Sequence, residues 1–300
     1  MRLSRAFKVR ALRGLGFALG SSLLAAGIGF AAYRLWLAAG PDSALGPNEL
    51  ARGIVYRRVP LQTPRRAVAH ILQIDLAAPR LRMVITPPVA GSRCLPARLT
   101  SEFLVATKSV VAINGAFFHP FWSNAPWDYY PHEGDCTYVL GRWSAQGQTY
   151  GRRWKGAALS FGPALEPAVG RLPDAKWMVE GKSWLVKDGM ALRHAADEQD
   201  AKPYPRNVMC IGRAPHSLLS ILVDGRQPGY SDGLTLGEVA EFAAQRGCAA
   251  AIELDGGGSV SLAWHGPHGV VLLNRPFHTR IPGRERPVAN QIGFGTEPGD

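Results

Sequence analysis

Residues 218–259 read LLSILVDGRQPGYSDGLTLGEVAEFAAQRGCAAAIELDGGGS, and this stretch sets the expected architecture. Leu218–Val223 and Ala250–Leu254 are short, largely apolar runs with the length of buried strands. Between them, Thr235–Arg246 places Leu236, Val239, Ala240 and Ala243 on one helical face, and Gly247 offers a stop. Two strands joined through a helix form a β-α-β unit, and they run parallel if they share a sheet. Their C-terminal ends then lie at one edge, where open α/β sheets bind ligands. Asp224-Gly225 follows the first strand and Asp255-Gly256 the second, while Val110–Ile113 leads into Asn114-Gly115 in the same style. Three polar residues, each at a strand end and each followed by glycine, predict a convergent site.

Outward from this unit, Ala67–Leu76, Leu81–Ile85, Val208–Ile211 and Val270–Leu273 also read as strands between Gly and Pro clusters. The expected fold class is α+β: a strand-rich mixed-sheet core with few helices and one β-α-β unit at 218–254, plus an N-terminal transmembrane helix. Phe117–Lys155 is rich in Trp, Tyr, Pro and Gly without periodicity, and is expected to form long loops over the core.

The formal charge of +11 raises nucleic acid as a partner, so its placement matters. Residues 1–40 hold Arg2, Arg5, Lys8, Arg10, Arg13 and Arg34 and no acid, leaving 28 bases against 23 acids in the rest of the chain. No zinc-finger, basic-zipper or aromatic RNA-binding pattern is present, so no nucleic acid is expected. The front of the chain carries another signal. Gly14–Tyr33 is almost wholly apolar and, as a helix, would cover about 30 Å, the thickness of a bilayer core. Five bases precede it and one follows, which predicts a single-pass inner-membrane protein whose C-terminal domain faces the periplasm or the outside. A cleaved signal peptide is the alternative, although Ala38-Ala39-Gly40 is followed by Pro41 and no Ala-x-Ala occurs in the first 50 residues. The expected organisation is a basic cytoplasmic N-terminus at 1–13, an anchor or uncleaved signal at 14–39, a linker at 40–64 and a folded domain at 65–297. Cys94, Cys136, Cys210 and Cys248 would sit in an oxidising compartment, where three pairings are open. Sequence proximity alone favours Cys94 with Cys136 and Cys210 with Cys248, and buried free thiols are the alternative.

Asp255-Gly256-Gly257-Gly258-Ser259 is the sharpest local feature, because glycines let backbone N–H groups approach an anion with a carboxylate and a hydroxyl beside them. Thr235-Leu236-Gly237-Glu238 fits a helix-capping box, which offers Glu238 a structural role beside a catalytic one. Gly229-Tyr230-Ser231-Asp232-Gly233 matches Gly-x-Ser-x-Gly, with Asp255 and His265, His268 or His278 following in triad order. A nucleophile elbow needs the strand to run directly into the serine, whereas Asp224 to Gly229 intervene. Arg206, Arg226, Arg275 and Arg286 lie near turns, and guanidinium forks suit phosphate oxygens.

Together, Asn114-Gly115-Ala116-Phe117-Phe118, Pro205-Arg206, Asp224-Gly225-Arg226, Tyr230 to Thr235 with Glu238, Asp255 to Ser259 and Arg286 to Asn290 resemble, in this order, the phosphodiester glycosidase domain over residues 65–295. The resemblance implies hydrolysis of a GlcNAc-1-phosphate-type sugar-1-phosphodiester in an envelope or exopolysaccharide glycan. It implies catalytic roles among Asp255, Glu238 and Asp224, and substrate or phosphate binding by Asn114, Arg206, Arg226, Ser231, Gly256, Gly257, Gly258, Ser259 and Asn290. No cofactor is expected, and a divalent metal stays open. The family usually has glycine where Ala116 stands, threonine where Asn207 stands and asparagine where Glu253 stands. The alternatives are a non-catalytic envelope polysaccharide-binding protein and a serine esterase using Ser231.

Overall fold

The computed structural model describes residues 5–40, 48–152, 154–193 and 200–297, with side chains of the first helix from Ser22 onward. Every strand pairing in the described sheets is antiparallel. The main sheet has eight strands in the order Asn48–Ala51, Ile54–Leu61, Ala67–Asp75, Ser217–Val223, Arg206–Gly212, Cys248–Leu254, Trp184–Lys187 and Met190–Ala191. The β-α-β unit is therefore present with one strand inserted. Arg206–Gly212 runs antiparallel between Ser217–Val223 and Cys248–Leu254, so the outer two point the same way. Arg206 pairs with Val223 and Asn207 with Leu254, which brings the start of the central strand to the edge where the other two end.

Alternation along these strands divides the apolar residues between two cores. On one face, Ala251, Val208, Cys210, Ile221 and Val223 meet Val239, Ala240 and Ala243 of the helix Leu236–Gln245. On the other, Ile252, Leu254, Met209 and Leu222 meet two further five-stranded sheets. One of these has the order Gly269–Leu272, Leu262–Gly266, Val111–Asn114, Gln291–Thr296, Leu81–Ile85, and the other centres on Trp143–Ala145, Trp177–Gly181 and Ala157–Phe161. Thr235 caps the helix through a complete capping box with Glu238. The aromatic segment after Phe117 holds short strands, including Phe118–His119, Tyr129–Tyr130 and Cys136–Val139. These strands are only two to four residues long, too short to leave a period in the sequence. Disulfides join Cys94 to Cys136 and Cys210 to Cys248.

The N-terminal expectation is corrected. Among the described residues no helix is long and apolar enough to cross a membrane. Neither the transmembrane helix of the expected fold class, nor the single-pass inner-membrane placement, nor the membrane as a partner is supported. The helix Arg5–Ala38 has described side chains only from Ser22, and this part covers about 25 Å and contains Arg34. Its C-terminal end packs on protein: Leu37 is buried, Tyr33 Oη donates to the Arg280 carbonyl, and Arg275 donates to the carbonyls of Trp36 and Leu37. Residues 1–4 and 41–47, parts of the expected basic N-terminus and linker, lie outside the described residues.

Candidate active site

Asp255 directly follows the strand Cys248–Leu254, and its backbone is fixed on both sides. Its N–H donates to the Gly115 carbonyl at 3.0 Å, and its carbonyl accepts from Asn114 Nδ2 at 2.7 Å. Asn114 is fully buried and is itself held by Asn207 Nδ2 and the Ser261 N–H. Asn290 secures the neighbouring turn by accepting from the Ala116 N–H at 2.8 Å. A side chain at Gly115 would meet Asn290 Oδ1 at 2.5 Å, so glycine is required where the two loops cross. Asn114 and Asn290 thus position the loops that carry the site.

The partly buried Asp255 opens onto a cavity of about 370 Å³ together with Gly256, Gly257, Gly258, Arg206, Arg226, Arg286 and Glu253, under walls that include Phe121, Trp154 and Tyr204. Desolvation pushes its carboxyl up to about 6, against the Ser259 hydrogen bond and the Arg286 charge, with Glu253 adding to the rise. Gly257 has φ +61° and donates to the Pro205 carbonyl, turning the chain back toward the central strand. At Gly258 a Cβ would lie 2.6 Å from Arg286 Nη2, so only glycine lets that guanidinium lie against the loop.

Arg286 is buried over the Phe121 ring, donates from Nη1 to Ser259 Oγ at 3.0 Å and from Nε to His278 Nδ1 at 3.1 Å. Burial lowers its pKa to about 10, and burial with the nearby Arg286 and Arg284 charges lowers that of His278 to about 3, leaving a neutral imidazole as the arginine's acceptor. Arg226 stacks over Tyr204 at 4.2 Å, and burial with the Arg206 and Arg280 charges lowers its pKa. No ion pair joins Arg226 to a carboxylate among the described residues. Arg206 is differently placed. Nη1 donates to Glu253 Oε1 at 3.1 Å, and Nε and Nη2 donate to the carbonyls of Leu234, Asp200 and Lys202. The cations turned to a ligand are therefore Arg226 and Arg286, flanking the glycine turn, and a cradle of this kind can bind an oxyanion.

The other expected residues lie elsewhere. Asp224 is buried and accepts from His70, Tyr230, Asn274 and the Arg275 N–H. Burial acts to raise its pKa, but the His70 charge and these hydrogen bonds hold it below the usual range. Glu238 closes its capping box and takes a bidentate bond from Arg65, away from the cavity. Ser231 is fully buried, donates to the Asp224 carbonyl and accepts from the Val68 N–H, with no exposed hydroxyl to attack a substrate. Tyr204 and the aromatic walls were not assigned to the site from sequence, and Arg286 was named only among the arginines suited to phosphate. The aromatic richness of Phe117–Lys155 was the one signal available for the walls. Among the described residues, no group of three His, Cys, Asp or Glu could hold a metal ion.

Residues 107–295 match the phosphodiester glycosidase family. The chain belongs to that family. It is a glycosyl hydrolase acting on sugar–phosphate bonds, and its fold is found in solved structures. The zebrafish N-acetylglucosamine-1-phosphodiester α-N-acetylglucosaminidase catalytic domain, auto-inhibited by its pro-peptide, matches at TM-score 0.59 and 19% identity, over 87% of each chain. A hypothetical protein from Synechocystis matches at 0.54 and 15%, over 82% of this glycosidase and 62% of its own chain. A putative exported protein from Burkholderia pseudomallei matches at 0.53 and 14%, over 77% and 74%. At these identities the likeness is one of fold. No curated protein matches the sequence.

Proposed function

We propose that this glycosidase hydrolyses a GlcNAc-1-phosphate-type sugar-1-phosphodiester in an envelope or exopolysaccharide glycan, with Asp255 as the catalytic carboxylate. Water attacks the anomeric carbon, the bond from that carbon to the phosphate oxygen breaks, and the second group leaves as a phosphomonoester. Such a leaving group is already acidic, with a second pKa of about 6, so cations and N–H donors can replace a strong general acid. Arg226, Arg286 and the Gly256–Ser259 turn hold the phosphate, while ionised Asp255 activates water or steadies the oxocarbenium-like centre. Arg206 acts through Glu253 and the 200–204 segment, shaping the cavity wall. The observation that carries this reading is the Asp255 carboxyl, with a pKa near 6, sharing one cavity with the buried Arg286 and the more exposed Arg226. The two disulfides fit an oxidising, extracytoplasmic compartment.

The test is hydrolysis of a panel of sugar-1-phosphodiesters by the wild type, Asp255→Asn and Arg286→Ala, with product analysis and a chelator control. Loss of turnover in both variants, with the sugar released as a free reducing end, is expected. Turnover retained in both would refute the assignment. Binding of a glycan without release of reducing sugar by the wild type would favour the non-catalytic reading, which the exchange of the family's asparagine for Glu253 keeps in view.

A further inference from the structure

A second cavity of about 600 Å³ borders the ribbon formed by Phe118–His119 and Cys136–Val139. Phe117, Phe118 and Leu140 line the cavity of Asp255, whereas His119 and Val139 line the second one. Its lining includes two guanidiniums, Arg93 and Arg152, and no carboxylate. Neither arginine forms an ion pair among the described residues. Arg152 places Nη1 3.2 Å from His119 Nε2, an imidazole and not a carboxylate. His119 in turn lies flat against Tyr138, its cross-strand partner, with ring centroids 5.2 Å apart and an interplanar angle of 19°.

The frame around these groups is stiff. Arg93 precedes Cys94, which is bonded to Cys136 at the start of the ribbon. Gly151, at φ +87°, brings the backbone so close to the Gly141 carbonyl that a Cβ would lie 2.2 Å from it, and this fixes where Arg152 leaves the chain. Two forks held on a rigid rim, beside a flat aromatic pair, can bind an oxyanion carried on a sugar ring: the guanidiniums take the oxygens and the ring face packs on the aromatics.

We propose that this pocket is a second subsite for an acidic sugar, carrying a carboxylate or a phosphate, that belongs to the same glycan whose sugar–phosphate bond lies at Asp255. The inference rests on the glycan-hydrolase reading for its context, but binding can be measured without turnover. The test is calorimetric titration of the full chain with hyaluronan tetrasaccharide, glucose 6-phosphate and the neutral chitotetraose. At least one acidic probe is expected to bind about tenfold or more tightly than the neutral one, and which acidic probe does so identifies the oxyanion. The exposed pair Arg93→Ala and Arg152→Ala should abolish that preference while the unfolding temperature stays unchanged, and Arg286→Ala should leave it intact. Equal binding of acidic and neutral probes overturns the proposal. So does a preference that survives the double variant, or one lost only with Arg286→Ala, which would put the probe in the Asp255 cavity. If the wild type fails to cleave every phosphodiester but keeps the Arg93- and Arg152-dependent preference, the hydrolytic assignment falls and the subsite stands.

Discussion

Replacing Ser259 by alanine should move the pH profile upward. The Asp255 carboxylate takes a hydrogen bond from Ser259, the largest influence favouring its ionised form, and Ser259 Oγ also anchors Arg286 Nη1 at 3.0 Å. A hydrogen bond to a charged group contributes about 1.5–3 kcal/mol, which corresponds to roughly 1–2 pKa units. The freed guanidinium works in the same direction, because its charge also favours ionised Asp255. From about 6 in the wild type, the carboxyl should therefore titrate at roughly 7–8 in Ser259→Ala. If catalysis needs the carboxylate, kcat/KM at pH 6.5 falls by roughly 3- to 25-fold, and at pH 9 the two proteins converge except for any loss from the looser Arg286. The assay is kcat/KM on a GlcNAc-1-phosphodiester from pH 4.5 to 9.5. An acid limb that stays in place, moves downward, or is missing near pH 6 in the wild type would refute the assigned role of Asp255.

Asp255→Asn should be inactive yet more stable at neutral pH. Its carboxyl is raised from 3.8 to about 6, so the fold binds that proton more tightly than the unfolded chain and ionisation opposes folding. The penalty is absent below about pH 4, grows between 4 and 6 and is complete above, at most about 3 kcal/mol. Thermal melts at pH 4 and pH 8 should show a gain only at the higher pH. Glu238→Ala should keep kcat/KM within about twofold while losing the glutamate half of the capping box and the Arg65 pair, a cost of about 1–2 kcal/mol read as a fall of several degrees in Tm. Gly258→Ala pushes Arg286 off the loop, since a Cβ there lies 2.6 Å from Nη2. A fall in kcat/KM of roughly 10- to 100-fold is expected, and circular dichroism should be unchanged.

The strand–helix–strand segment was legible because its signals are local: apolar runs, an amphipathic helix and a capping box within 42 residues. What stayed hidden was that the strand read at Val208–Ile211 inserts between the two. Arg206–Gly212 joins them by pairing at long range, and only that insertion shows how Arg206 reaches the same edge as Asp255. Strand-end glycines marked Asn114 and Asp255, which the fold brings together, but the same pattern at Asp224 marks a buried hydrogen-bonding hub. Residue types cannot separate these cases, because the difference lies in partners such as His70 and Asn274, far away along the chain. Glu238 and Ser231 each had a structural explanation available in sequence, the capping box and the misplaced elbow, and the structure gives both residues internal partners. The expectation that failed, a membrane-crossing helix, rested on apolar length alone, whereas the end of that helix packs against Arg275 and Arg280.

Arg226, which forms no ion pair with a carboxylate among the described residues, would on the proposed reading also shape how the reaction ends. With Asp255 ionised against Arg286, the cavity retains one uncompensated positive charge, which matches the single negative charge of a phosphodiester. Cleavage converts that ligand into a phosphomonoester of charge near −2 above pH 6. The product is then a better electrostatic match for Arg226 and Arg286 than the substrate, and protonation of Asp255 strengthens its hold. If Arg226 and Arg286 hold the phosphate as proposed, product inhibition by the released phosphomonoester is expected from the same pair of guanidiniums.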